Sequence, residues 1–177
     1  MAASLARKVR DLIRARIQDD DNGLNKQFAS LFEESKLADV PVIDWDPEAR
    51  QFFESNIDFD AAVEADAPQT PCVFLYCERT ENLNRVKFRT FAGQVSMTLD
   101  VVIEFPESQP GNKFEDFADL VEESLVVCLN AQNWDALHGA IGVAYNGAIS
   151  TERSAVVRTG QNFRQVITAK QIFEVTL

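Results

Sequence analysis

The chain has 177 residues, 46% of them apolar, and a formal net charge of −11. That length and apolar content fit one domain with a sizeable core, and no run of about eighteen apolar residues offers a membrane span. The charge is uneven: residues 17–69 hold 14 Asp and Glu against Lys26, Lys36 and Arg50, whereas the remainder balances 14 acids with 14 bases. A neutral scaffold carrying an acidic segment is a poor DNA binder through that segment, because phosphate contacts need cations. Cys72, Cys77 and Cys128 lack Cys-x-x-Cys spacing, which argues for buried thiols in a reducing compartment rather than a disulfide framework or a zinc site.

The opening residues, MAASLARKVRDLIRARI, interleave apolar residues with arginines and lack the apolar run of a signal peptide. Asp11 and the acids that follow argue against a transit peptide. Residues 4–17 read as a helix: Ser4 is placed to cap it, and Leu5, Val9, Leu12, Ile13 and Ile17 make one apolar stripe. Arg7, Lys8, Arg10, Arg14 and Arg16 take the other faces, as a solvated surface or as a contact for an acidic one, such as the acidic segment of a neighbouring copy. The stretch QDDDNG ends the helix. Its aspartates are adjacent rather than alternate and no Glu follows at the calcium-loop offset, so it reads as a turn.

Residues 24–69 are expected to form an insertion or arm. A short helix around Phe28, Leu31 and Phe32, an edge strand at 40–43 limited by Pro41, and a one- or two-turn helix at 47–55 are its plausible pieces. Trp45, Phe52, Phe53 and Phe59, set among acids, are either anchors against a partner or a satellite of the core.

Residues 70–79 read as a strand apolar on both faces: Val73, Leu75 and Cys77 on one, Cys72, Phe74 and Tyr76 on the other. Such a strand is central in its sheet or is covered by a neighbouring subunit. After a loop, Arg85, Lys87 and Arg89 alternate with Val86 and Phe88 and share one face. The organising stretch is 94–105, QVSMTLDVVIEF. Val95, Met97, Leu99, Val101, Ile103 and Phe105 fall on every second position, and Val102 is the one apolar residue among the polar alternates.

A helix then runs from 111 or 112 to 129, burying Phe114, Phe117, Leu120, Val121, Leu125 and Cys128 and turning Glu115, Asp116, Asp119, Glu122 and Glu123 to water. With no Glu-x-x-His, those acids read as a solvated face rather than a di-metal site. Trp134 and Leu137 seat the next turn, Ile141, Val143 and Tyr145 alternate as a strand, and Asn146-Gly147 suggests a hairpin. A further strand around 155–157, a turn at 159–162 and a half-buried strand over 165–177 close the chain.

The fold class is therefore α+β: a mostly antiparallel sheet with two main helices packed on it and an acidic insertion at about 24–69, all in one domain. No catalytic motif, phosphate loop or dinucleotide fingerprint is present, and the one histidine, His138, has no nucleophile context. Neither a cofactor nor a metal is expected. A pocket lined by Trp134, Tyr145 and His138 is the remaining route to a small enzyme or ligand-binding domain.

The element order resembles that of the tail terminator proteins of long-tailed bacteriophages. The resemblance rests on the LARKVRDLIRARI helix, the TPCVFLYCER and GQVSMTLDVVIEFP strands, the FEDFADLVEESLVVCL helix and the closing strand, and it covers residues 70–177 best. It is architectural, without a sharp motif, and the stretch 24–68 is longer than the family pattern. It implies a non-enzymatic virion protein, found in the tail or neck and in host cytoplasm during assembly. Such a protein forms a ring, hexameric in that family, between tail tube protein and head-side connector or stopper. DNA passes through without specific binding, and no membrane is involved. It further implies that Arg85, Lys87, Arg89, Trp45, Phe52, Phe53, Arg153, Arg158 and Arg164 are candidates for subunit contacts, and that Glu115, Asp119, Glu122 and Glu123 are candidates for an acidic lumen wall. Another neck, stopper or tail-completion adaptor would have the same architecture.

Overall fold

The computed structural model describes residues 5–36, 40–56, 59, 68–82, 92–108, 111–134, 137, 140, 142–145 and 147–176. In chain order the elements are helices α1 (Leu5–Ile17) and α2 (Leu24–Ser35), a 3-10 turn (Pro47–Ala49), strands β1 (Phe52–Phe53), β2 (Cys72–Asn82) and β3 (Ala92–Pro106), helix α3 (Gly111–Cys128), a second 3-10 turn (Ala131–Asn133), and strands β4 (Val143–Ala144), β5 (Ile149–Arg153), β6 (Val157–Thr159) and β7 (Asn162–Thr176).

Period-two alternation makes β3 the axis of the sheet. It pairs antiparallel with β2 on one side and, over its whole length, with β7 on the other. The sheet order is β1-β2-β3-β7-β4, with β5 and β6 also on β7, and only β1 runs parallel to its neighbour. The fold is thus α+β, with helices packed on a mostly antiparallel sheet.

One face of the sheet holds the core. Val95, Met97, Leu99, Val101, Ile103 and Phe105 of β3 are buried there with Val73, Leu75, Ile167, Ala169, Phe173 and Val175 of the flanking strands. The helices close it: Val9, Ile13 and Ile17 from α1, Leu24, Phe28 and Phe32 from α2, and Phe114, Phe117, Val121 and Leu125 from α3. Phe32 meets Phe117 edge-on at 5.3 Å between ring centroids. The α2 segment is therefore core, a third helix of 12 residues where the sequence suggested a short one.

Arg16 is buried rather than solvated. Its Nε donates to the Cys128 carbonyl at 2.7 Å, at the end of α3, where unpaired carbonyls and the helix dipole favour a cation. Residues 40–43 form no strand. The Asn25 side chain clasps Ile43 instead, donating to its carbonyl at 2.7 Å and accepting from its N–H at 2.9 Å. Pro41 has no N–H to contribute to a ladder. The expected helix at 47–55 stops after one turn: Asp46 caps it through the Glu48 N–H at 2.8 Å, and Arg50 turns left-handed at φ 56°. The backbone then extends so that Phe52 and Phe53 reach opposite faces of the sheet.

Asn146 lies outside the described residues, and the strands on either side of Gly147 do not form the expected hairpin with each other. Both β4 and β5 pair with β7, at Val143↔Val175 and Ile149↔Gln171, so they lie in line along its edge. The hairpin instead joins β6 to β7, with Thr159 opposite Asn162 and Gly160 at φ +64° in the turn.

Candidate functional surface

The sheet face away from the helices carries the even-numbered side chains of β3 and β7, and it changes character along its length. At one end Cys72, Val102 and Val166 lie in register across three strands, beside Phe74. Phe53 stacks on Phe74 at 5.0 Å and 15°, Phe59 and Tyr76 pack alongside, and the Arg164 guanidinium sits 4.5 Å from the Phe59 ring centroid. The second apolar face of β2 is therefore closed by the chain's own acidic segment. Burial, reinforced by nearby Glu104, pushes the Cys72 thiol up to about 12.

The middle of the face is polar and internally paired. Asp100 accepts from the Tyr76 hydroxyl at 3.0 Å and from Thr168 Oγ1 at 2.6 Å, and Thr98 Oγ1 donates to Glu78 at 3.2 Å. Burial, with the Asp100 carboxylate next to it, raises Tyr76 to about 12. At the far end the face runs into a cavity of about 630 Å³ beside the β4–β5 connection. Glu78, Gln94, Lys170, Ile172 and Glu174 line it on the sheet side, and Tyr145 and Gln171 line it at the β7 edge.

The candidate contact residues separate. Trp45 and Phe52 meet edge-on at 5.6 Å and pack against the chain's own core, and Phe53 belongs to the small second cluster. Arg153 gathers the α3 acids: its guanidinium bonds to Asp119 at 2.5 Å, to Glu122 at 2.5 and 2.6 Å and to Glu115 at 3.5 Å. Burial works against the Arg153 charge, but its bonds to Asp119 and Glu122 outweigh that and hold its pKa above the ordinary value. Three of the four acids proposed for a lumen wall are thus engaged within the chain, whereas Glu123 is exposed. Arg158 is exposed and paired with Glu107 at 2.8 Å. In α1, Arg14 bonds to Glu54 of the same chain's acidic segment at 2.7 Å. Arg85, Lys87, Arg89 and His138 lie outside the described residues.

Of the residues expected to line a pocket, Trp134, Tyr145 and His138, the last lies outside the described residues. Trp134 is a core residue, packed on Tyr145 and Phe173 at 6.2 and 6.1 Å, and the cavity uses Tyr145 without it. Sequence reasoning also missed Asp100 with its two donors. The signal available was its place in the middle of a polar parity flanked by Tyr76 and Thr168. Among the described residues no three Asp, Glu, Cys or His side chains converge as a metal site, and no helix is long and apolar enough to cross a membrane.

No known protein family matches the chain, and no curated protein matches it. Among solved structures, one aligns over 94% of both chains at 14% identity with a TM-score of 0.35, a likeness too loose to bear on fold or function.

Proposed function

We propose that this chain is a structural virion protein of a long-tailed bacteriophage. In this reading it is one copy of a ring, six-fold by the resemblance, that terminates the tail tube and joins it to the head-side connector. The observation that carries the reading is the pair of sheet edges. On one side β1 covers only Val73 and Phe74 of β2, and among the described residues nothing pairs the outer edge of 75–82. On the other side the edge is made of the short strands β4, β5 and β6, with Val156 and Val157 exposed beside them. Two different open edges on opposite sides of one sheet favour head-to-tail association, which closes into a ring when the rotation permits.

The source of partner contacts accordingly shifts from the faces of the strands to their edges, because the apolar second face of β2 is already closed. The α3 face keeps an acidic surplus: Glu115, Asp116, Asp119, Glu122 and Glu123 outnumber Arg153, a balance suited to a wall past which DNA slides. Electron microscopy of the chain mixed with tail tubes tests the proposal. Rings capping tube ends are expected, and tubes that stay bare while the chain remains monomeric at all concentrations would overturn it.

A further inference from the structure

Residues 44–56 cross the end of the sheet as a strap. None of them is fully buried, whereas Ile43, just before them, is 1% exposed and clasped by Asn25. The first part of the strap is closed on itself. The Asp44 N–H donates to Gln51 Oε1 at 2.6 Å, the Asp46 N–H to Asp44 Oδ1 at 3.0 Å, and the Ala49 N–H to the Asp46 carbonyl at 2.9 Å. Among the described residues its backbone ties to the sheet are slight. β1 pairs with β2 over two residues, the Gln51 carbonyl accepts from the Val73 N–H at 2.7 Å, and the Arg50 carbonyl accepts from the Gln69 N–H at 2.9 Å. The charged tie is Glu54. It shares the parity of Phe52 and so lies on the helix side of the sheet, where α1 brings Arg10 and Arg14 one turn apart. Arg14 Nη1 donates to Glu54 Oε1 at 2.7 Å, and Arg10 Nε lies 3.2 Å from Glu54 Oε2.

We infer that Glu54 is the clasp of a strap that opens as a unit. Residues 44–56 lift from the edge of β2 while the body stays folded, and the ion pairs to Arg10 and Arg14 set how often they do so. Low burial and few ties are what place a segment at the easily opened end of a structure, and the bonds within 44–51 keep the loop together as it moves. Opening returns the Val73 N–H to the edge of β2, so the clasp governs how long an edge the chain offers to another strand. The side chains of the clasp are 26–42% exposed, so salt loosens it.

Amide hydrogen exchange of the full chain, read residue by residue by NMR, tests the inference. In the native protein the Val73 and Gln69 amides, which donate to the strap, should exchange faster than the ladder amides of β3 and β7. Glu54→Gln should speed Val73 and Gln69 about fivefold and leave the β3 and β7 amides unchanged. High salt should have the same effect on the native chain and add little to Glu54→Gln. Arg14→Gln should speed the same two amides in the native background and add little once Glu54 is neutral. Val73 exchanging at the rate of the β3 ladder in every variant would overturn the inference, as would a rise shared equally by all amides. The measurement is made on the chain alone, so its failure would leave the ring proposal standing, and bare tail tubes would leave this inference standing.

Discussion

Replacing Arg153 by Met removes the one cation that three α3 carboxylates share while keeping most of the side chain's bulk. Two of those partners are weak contributors: Glu115 and Asp119 are 63% and 66% exposed, and exposed pairs contribute only about 0.2–1 kcal/mol each. Glu122 is different. It is 26% exposed, receives two guanidinium N–H groups, and also accepts the Thr151 hydroxyl. A partly shielded, charge-assisted contact of that kind is worth about 1 kcal/mol after discounting for solvent. The three together give about 2 kcal/mol, which for a chain of this size lowers Tm by roughly 4–8 °C. The assay is thermal unfolding at neutral pH, repeated from low to high salt, with Glu122→Gln and the double variant completing a cycle. A coupling of about 1 kcal/mol is expected, with the whole effect shrinking in high salt. A loss below about 0.5 kcal/mol with zero coupling would refute the reasoning. It would also return Glu115, Asp119 and Glu122 to the pool of acids free to serve at a lumen wall.

Other variants probe the remaining elements. Phe32→Ala empties a fully buried site between Phe28 and Phe117 and should cost about 3–5 kcal/mol by denaturant unfolding, whereas a dispensable arm would tolerate it. In native buffer a thiol reagent should modify half-buried Cys77 alone, and Cys72 and Cys128 only after denaturation. Phe53→Ala should release Cys72 as a second native thiol, and an unchanged count would mean that Phe53 does not close that face. Stability should fall above pH 9. Burial lifts the Cys72 and Cys128 thiols to about 12, so between pH 9 and 12 the unfolded chain has lost protons that the folded chain still holds. Tyr76, held at about 12, extends the same sign above pH 10, burial raises Tyr145 in the same direction, and absorbance titration should show both tyrosinate steps displaced upward from their places in the unfolded chain.

The sheet was legible because its signal is periodic. β3 extends one or two residues beyond 94–105 at either end, β2 and β7 begin or end within about three residues of the expected bounds, and the stripes of α1 and α3 bury the residues that their spacing selects, Leu12 and Leu120 only in part. Legibility failed where a side chain replaced a backbone partner. Asn25 does for Ile43 what a neighbouring strand would do, and no local pattern announces it. Arg16 was invisible as a core residue because its partner, the Cys128 carbonyl, is 112 positions away. Phe52-Phe53 looked helical beside Pro47 and Glu48, but two adjacent aromatics can serve both faces of a sheet only when extended. The Arg153 cluster was split into two unrelated groups for the same reason: α3 and β5 meet only in the fold.

Exceptions to the alternation carry the information about partners. Within 94–105 the one apolar residue on the polar parity of β3 is Val102, and it marks the spot where Phe53 and Phe59 land. On β7 the polar parity has two such exceptions, Val166 and Ile172. Val166 is opposite Val102 and packs into that covered cluster. Ile172 is opposite Ser96 and stays more than half exposed over the cavity. The same substitution at the two positions should therefore differ in its cost to stability. Val166→Thr places a hydroxyl under the arm and should cost about 1–2 kcal/mol. Ile172→Thr keeps a β-branched residue in the strand at a wet position and should change stability by less than about 0.5 kcal/mol. Equilibrium unfolding reads both effects. Should Ile172→Thr prove the more destabilising, its exposed face would have to be packed in the native chain, and the cavity would lose its apolar floor.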